Sequence, residues 1–327
     1  MKILILSQGD FKSGKGHINR SNLVYEYLKK KKIGVDYFSF NGSKKIKIYN
    51  RKNKNINKNE FVKKIKSANT IITDEVSCPK GLINLLKKKF ICSISPNGKF
   101  NKYAKIIFSR THPIGRYSKN TIISSSFNNF LPGSNLIKIK NYKNIISSKN
   151  KITIGISMGG YDKHNKTLKL LKILLNFKKF IKLIILFNKT DLKNYNKISD
   201  YLRANKFDYK LSAMKKNTWK IFSGSAFLYL SGGISAYESI FVGIPSINII
   251  NDPHKKKLTE YLTKFKLTNI YKITEKKKIS NITELYFRNN NLLLNQKNKI
   301  DNFIAKINYD PYSKLLKLVK RYYKTIN

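Results

Sequence analysis

The chain has 327 residues, room for one large domain or two of ordinary size. Its 41% hydrophobic and 12% aromatic content excludes a disordered chain. A net charge of +50, from 67 Lys+Arg against 17 Asp+Glu, favours any polyanion, but no stretch concentrates basic and aromatic residues as a nucleic-acid surface would. The lysines are spread throughout, beside abundant Asn and Ile, residues with A/T-rich codons. Base-composition bias is therefore the preferred source of the charge.

In chain order, Ile3 to Leu6 reads as a short apolar strand. A glycine-punctuated loop follows, with Gly9, Gly14, Gly16 and His17. Residues 19–32 read as a helix with Leu23, Tyr27 and Leu28 on one face. Strand 35–40 completes a βαβ opening. Residues 44–58 are polar and basic, an exposed hairpin or loop. Helix 61–68, strand 69–74, helix 78–89 and strands 90–94, 106–108 and 121–123 finish the first half. Polar, aperiodic residues 142–150 are assigned to a linker. The pattern then restarts: strand 151–157, a Gly159-Gly160 turn with Asp162, helix 166–176, strand 182–187, helix 193–205, strand 207–211 and short helix 217–223. Strand 226–230 runs into Ser231-Gly232-Gly233 and a helix bearing Glu238. Strand 245–250 and helix 255–265 follow, and periodicity beyond Glu275 is helical. The domains expected are 1–148 and 149–327, the second with a helical tail. Both are α/β and doubly wound, with mostly parallel sheets.

Two cysteines, Cys78 and Cys92, show neither metal-ligand spacing nor a disulfide framework, which suits a reducing cytoplasm. No apolar run approaches the roughly 18 residues of a membrane span. The opening strand is too short for a signal peptide. No His, Cys, Asp or Glu group has metal-ligand spacing, so no metal is expected.

A strand that ends in Gly-Gly and opens a helix makes an anion site: the glycines admit a phosphate to the backbone, and free N–H groups of the helix point at it. Glu238, about one and a half turns on, suits hydroxyl groups such as those of a ribose. Gly159-Gly160 is a second such turn on the same sheet. In the first half, His17 opens a helix after Gly14-Lys15-Gly16, and an imidazole there can act as a general base near neutral pH. A capping or core histidine is the alternative. Asp74 ends a strand and points into the same cleft or starts a turn. Asp162 reads as a helix cap or loop residue. His254 reaches a sugar or phosphate, or simply occupies a helix start.

Taken together, Gly14-Lys15-Gly16-His17-Ile18-Asn19-Arg20, Ser157-Met158-Gly159-Gly160-Tyr161-Asp162, and Ser231-Gly232-Gly233 with Glu238 and Gly243-Ile244-Pro245 resemble the GT-B superfamily of nucleotide-sugar enzymes. The closest resemblance within it is to the spore-coat polysaccharide glycosyltransferases and the UDP-sugar hydrolase of pseudaminic acid synthesis. The resemblance spans residues 1 to about 270. It implies two Rossmann-like domains facing across a cleft, and a UDP-sugar as substrate with no separate cofactor and no metal. His17 would be the catalytic base, with Asp74 beside it. Gly14, Gly16, Gly159, Gly160, Ser231, Gly232, Gly233, Glu238 and His254 would bind the nucleotide sugar.

Two departures bear on the sugar. Leu6-Ser7-Gln8-Gly9-Asp10 replaces the Arg-Ala-Asp run of the hydrolase type, and Asn251-Asp252-Pro253-His254 stands where an Asn-Gln pair is common. Both favour a glycosyltransferase of surface polysaccharide or glycoconjugate synthesis, in which His17 deprotonates an acceptor hydroxyl. The alternatives are a hydrolase in which His17 activates water, and a polyanion-binding protein without catalysis. A cytoplasmic enzyme is expected, with a sugar or carrier-linked acceptor. Its basic surface suits an anionic membrane-bound carrier, and no specific nucleic acid is expected.

Overall fold

The computed structural model describes residues 1–9, 16–40, 47–52, 54–75, 80–139, 142–146, 151–159, 162, 164–187, 191–213 and 218–324. The chain forms two compact units, Met1–Gly133 with Asn308–Asn327, and Ser134–Ile307.

In the first unit β1 (Lys2–Gln8) leads through α1 (Gly16–Lys30) to β2 (Gly34–Phe40). Then come β3 (Ile48–Asn50), β4 (Asn55–Ile56), α2 (Lys58–Ser67), β5 (Thr70–Asp74), α3 (Lys80–Leu86), β6 (Phe90–Ser93), β7 (Ile106–Ser109) and β8 (Ile122–Ser125). The sheet order is β4-β3-β2-β1-β5-β6-β7-β8. β1 pairs in parallel with β2 on one side and β5 on the other. The expected hairpin within 44–58 is the antiparallel β3–β4 pair at the sheet edge. The chain leaves β1 to one side and returns on the other, so the carboxyl ends of β1 and β5 form the switch point where α/β sheets bind ligands.

The second unit holds α4 (Tyr142–Ile146), β9 (Ile152–Ser157), α5 (Lys166–Leu174), β10 (Ile181–Phe187), α6 (Leu192–Ala204) and β11 (Asp208–Ala213). It continues with α7 (Thr218–Ile221), β12 (Phe227–Leu230), α8 (Ile234–Val242), β13 (Ser246–Ile249), α9 (Pro253–Lys264), β14 (Thr268–Tyr271), α10 (Lys276–Arg288) and α11 (Asn290–Ala305). Its strands, in order β11-β10-β9-β12-β13-β14, pair in parallel throughout. The switch point lies between β9 and β12, and these two strands carry the two glycine turns.

The last helix, α12 (Pro311–Lys324), belongs to the first unit: Leu315, Leu316 and Val319 join the core of Ile3, Ile5, Ile72 and Phe108. The structure therefore differs from the expected division in two respects. The boundary falls at 133/134, and the tail is shared out differently. Residues 142–150 were expected to be linker, yet Tyr142 and Ile146 are buried one helical turn apart in the core of the second unit. Apart from Ile145 their neighbours are polar, which hides that pair in the sequence. Strand β14 was also not expected. It is only four residues long and half-exposed, so it carries little apolar signal.

Candidate active site

The buried stripe of α1 is Arg20, Ser21, Val24 and Leu28; of the expected Leu23, Tyr27 and Leu28, only Leu28 belongs to it. Its carboxyl half is apolar and packs against Ile3 and Ile5. Its amino half is polar because it meets Asp74. Asp74 ends β5 in register with Ser7 of β1 and is fully buried. His17 Nδ1 lies 2.6 Å from Asp74 Oδ1. Arg20 donates from Nε to Oδ2 at 2.7 Å and from Nη2 to Oδ1, a two-point clamp. Ser21 Oγ lies 3.3 Å from Oδ2. Burial works to raise the Asp74 pKa, but the Arg20 charge and the His17 contact outweigh it and bring the carboxyl down to about 2. A carboxylate at Nδ1 accepts that nitrogen's proton and leaves the lone pair on Nε2. Nε2 has no partner among the described residues, and the side chain is 13% exposed. The pair has the makings of a general base.

Beside it, Glu75 is fully buried and accepts from Lys99 N at 3.0 Å and Phe100 N at 2.8 Å. Burial pushes its carboxyl up to about 8, against those two bonds, and the Asp74 charge adds to the rise. A Cβ on Gly98 would stand 2.8 Å from both Glu75 oxygens, so that loop is built around the carboxyl group.

In the second unit the two glycine turns meet. Gly159 has φ +92°, and a Cβ there would lie 3.2 Å from Ser231 Oγ. Gly232 and Gly233 have φ +77° and +71°, the region that favours glycine. Gly232 packs so closely on Ile250 that a Cβ would meet its side chain at 2.3 Å, whereas Gly233 has open space around it. The Gly233 N–H is already committed, donating to Thr259 Oγ1 at 3.1 Å. The amides open to an anion are therefore those of the first turn of α8, which no side chain caps among the described residues. By contrast α5 is capped by Asp162, whose oxygens accept from Lys166 N and Thr167 N at 2.8 Å each, as a capping role for Asp162 requires. Asp252 likewise caps α9.

Glu238 is buried in α8, and its Oε1 accepts from Ser134 Oγ at 2.8 Å. Ser134 in turn accepts from Trp219 Nε1 at 2.8 Å. His254 is exposed on the first turn of α9, where its backbone N–H meets Asp252. Gly14 and Gly160 lie outside the described residues, and Gly16 is the first residue of α1. Thus His17 and Asp74 come together in the first unit, and Gly159, Ser231, Gly232 and Gly233 come together in the second. Arg20 and Ser21 were not singled out as site residues. The signal was their spacing, three and four residues after His17 on one helix face.

Among the described residues no group of three or more His, Cys, Asp or Glu is placed to hold a metal ion, and no helix is long and apolar enough to cross a membrane. A groove of about 700 Å³ beside β14, lined in part by Thr268, Tyr286 and Gln296, includes none of the site residues named above.

No protein-family model matches the chain. MJ1062, an uncharacterised protein of Methanocaldococcus jannaschii, is 26% identical over 300 residues, covering 84% of this chain. The match takes in 61% of that relative, so this chain spans less than two thirds of its length. MurG of Acinetobacter baumannii superposes with a TM-score of 0.65 at 9% identity, over 98% of this chain and 100% of that one. Anabaena HepE in complex with UDP and glucose gives 0.63 at 10% identity, over 98% of both chains. The S. aureus MnaA–UDP structure gives 0.65 at 11%, over 98% and 97%. The chain has the GT-B fold that these proteins share.

Proposed function

We propose that the protein is a glycosyltransferase that moves a sugar from a UDP-sugar to an acceptor hydroxyl without a metal ion. The observation that carries this reading is the His17–Asp74 pair at the switch point of the first sheet, with Nε2 unpartnered among the described residues. The paired glycine turns and uncapped α8 at the switch point of the second sheet support the nucleotide half. The fold is shared with HepE, solved with UDP and glucose, and with MnaA, solved with UDP.

In this reading His17 Nε2 takes the proton of the acceptor hydroxyl. The acceptor oxygen bonds to the anomeric carbon, and the bond from that carbon to the β-phosphate oxygen breaks. The electron pair leaves with UDP. Asp74 holds the imidazole tautomer and balances the imidazolium as it forms. The α8 amides stabilise the charge that gathers on the leaving diphosphate. Glu238 holds the ribose hydroxyls, with Ser134 fixing its position. The basic surface suits an acceptor on an anionic, membrane-bound carrier at the cytoplasmic face.

Release of free UDP from a panel of UDP-sugars, with and without candidate acceptors, tests the reading. Acceptor-dependent release is the expected result. Equal release without acceptor would make the protein a hydrolase in which the same pair activates water. No release from any UDP-sugar, with salt-dependent binding of nucleic acid, would replace both with polyanion binding.

A further inference from the structure

Lys166 is the first residue of α5 and is only 8% exposed. Its Nζ donates to Ile249 O at 3.3 Å. An ammonium has three donors, and among the described residues this one has no second hydrogen-bond partner. The nearby carboxylates serve other groups: both Asp162 oxygens accept from the backbone of α5, and Asp252 Oδ1 accepts from that of α9. A buried ammonium with two idle donors is expensive unless an anion joins it. Burial, then the charge of Lys255, lowers its pKa to about 8, against the pull of Asp162 and Asp252.

The topology says where that ammonium lies. Strands β9, β12 and β13 are neighbours in that order. Lys166 opens α5, the helix that follows β9, and Ile249 is the last residue of β13. The side chain thus reaches the carboxyl end of β13, the strand beside β12, and the next residue, Ile250, packs on Gly232 of the turn that follows β12. Three features mark the carboxyl edge of this sheet: open space above Gly233, an amino end of α8 without a side-chain cap among the described residues, and a buried cation.

We propose that Lys166 supplies the positive charge of this anion site, its ammonium meeting the diphosphate of the bound nucleotide. The inference rests on the nucleotide-sugar reading above. It gives the diphosphate a fixed cation, with the helix amides as its other partner.

The test is titration calorimetry of UDP, inorganic pyrophosphate and uridine on the full chain, wild type and Lys166→Met, at fixed salt. The expected result is a loss of roughly 10- to 100-fold for UDP and pyrophosphate, with uridine unchanged. Equal UDP and pyrophosphate affinities in the two proteins would overturn the assignment and leave the nucleotide reading standing. So would a lower melting temperature with no change in the ratio of UDP to uridine affinity, the mark of a purely structural lysine. A wild type that binds neither UDP nor pyrophosphate would overturn both. Should Lys166→Met not fold, Lys166→Arg decides the matter through pH. The charges facing Lys166 are Asp162, Asp252 and Lys255, and they are the same in both proteins. UDP affinity should fall between about pH 7 and pH 9 in the wild type and hold in the arginine variant, whose charge does not titrate. Parallel profiles would overturn the proposal.

Discussion

Asp74 is the residue around which His17, Arg20 and Ser21 gather, and its stability signature has a definite sign. Its folded-state pKa, about 2, lies below its ordinary value of 3.8. A depressed carboxylate contributes stability above its ordinary pKa and loses it as pH falls through the folded value, here between about 4 and 2. The difference corresponds to about 2 kcal/mol. Glu75 acts in the opposite sense. Its pKa is raised to about 8, so its contribution is present below its ordinary 4.5 and is lost as pH rises toward 8. The two effects occupy separate pH windows. Asp74→Asn should cost about 3–5 kcal/mol at pH 7, because it leaves the Arg20 charge buried and unpaired. It should also abolish the wild type's extra loss of stability below pH 4. Urea unfolding of both proteins at about pH 7 and pH 2.5 measures this, and identical acid slopes would remove the ion pair from the account. The sequence made His17 and Asp74 legible because each sits at a strand–helix junction. Arg20 and Lys166 were harder to see, since a buried cation does not stand out among 67 Lys+Arg.

At the scale of elements, the Ser231-Gly232-Gly233 turn joins β12 to α8 with two residues in the positive-φ region. Gly232→Ala should destabilise the protein by about 1–3 kcal/mol, from two separable causes. One is the backbone, at φ +77°, and the other is the Ile250 side chain, 2.3 Å from the new Cβ. Ile250→Ala should recover the steric part and leave the backbone part. A thermal-melt double-mutant cycle should therefore show Gly232→Ala costing less in the Ile250→Ala background, and strict additivity would contradict the close-packing argument. The existence and order of most elements were legible, because apolar runs bounded by glycine announce parallel strands. What escaped was short or disguised. The edge strand β14 has four residues, and Tyr142 and Ile146, with Ile145 beside them, anchor a helix inside a stretch that is otherwise polar.

For the whole molecule, the return of α12 makes the first unit discontinuous in sequence. Leu315, Leu316 and Val319 are nearly fully buried there. At about 1.5–3 kcal/mol for each such side chain, their loss approaches the whole stability of a domain. A chain truncated after Ile307 should lose the cooperative unfolding of the first unit while the second still melts. Calorimetry showing two unchanged transitions would contradict that division of the core. The charge of +50 belongs to this scale too, and its even spread over the chain argues for composition rather than for a nucleic-acid partner. The central claim is that His17 performs the chemistry while the second unit holds the nucleotide. Paired measurement of UDP release from the UDP-sugar and of UDP affinity, in wild type and His17→Ala, tests it most directly. The account predicts that the variant loses turnover by at least about 100-fold and binds UDP as the wild type does. Turnover unchanged in His17→Ala would contradict it.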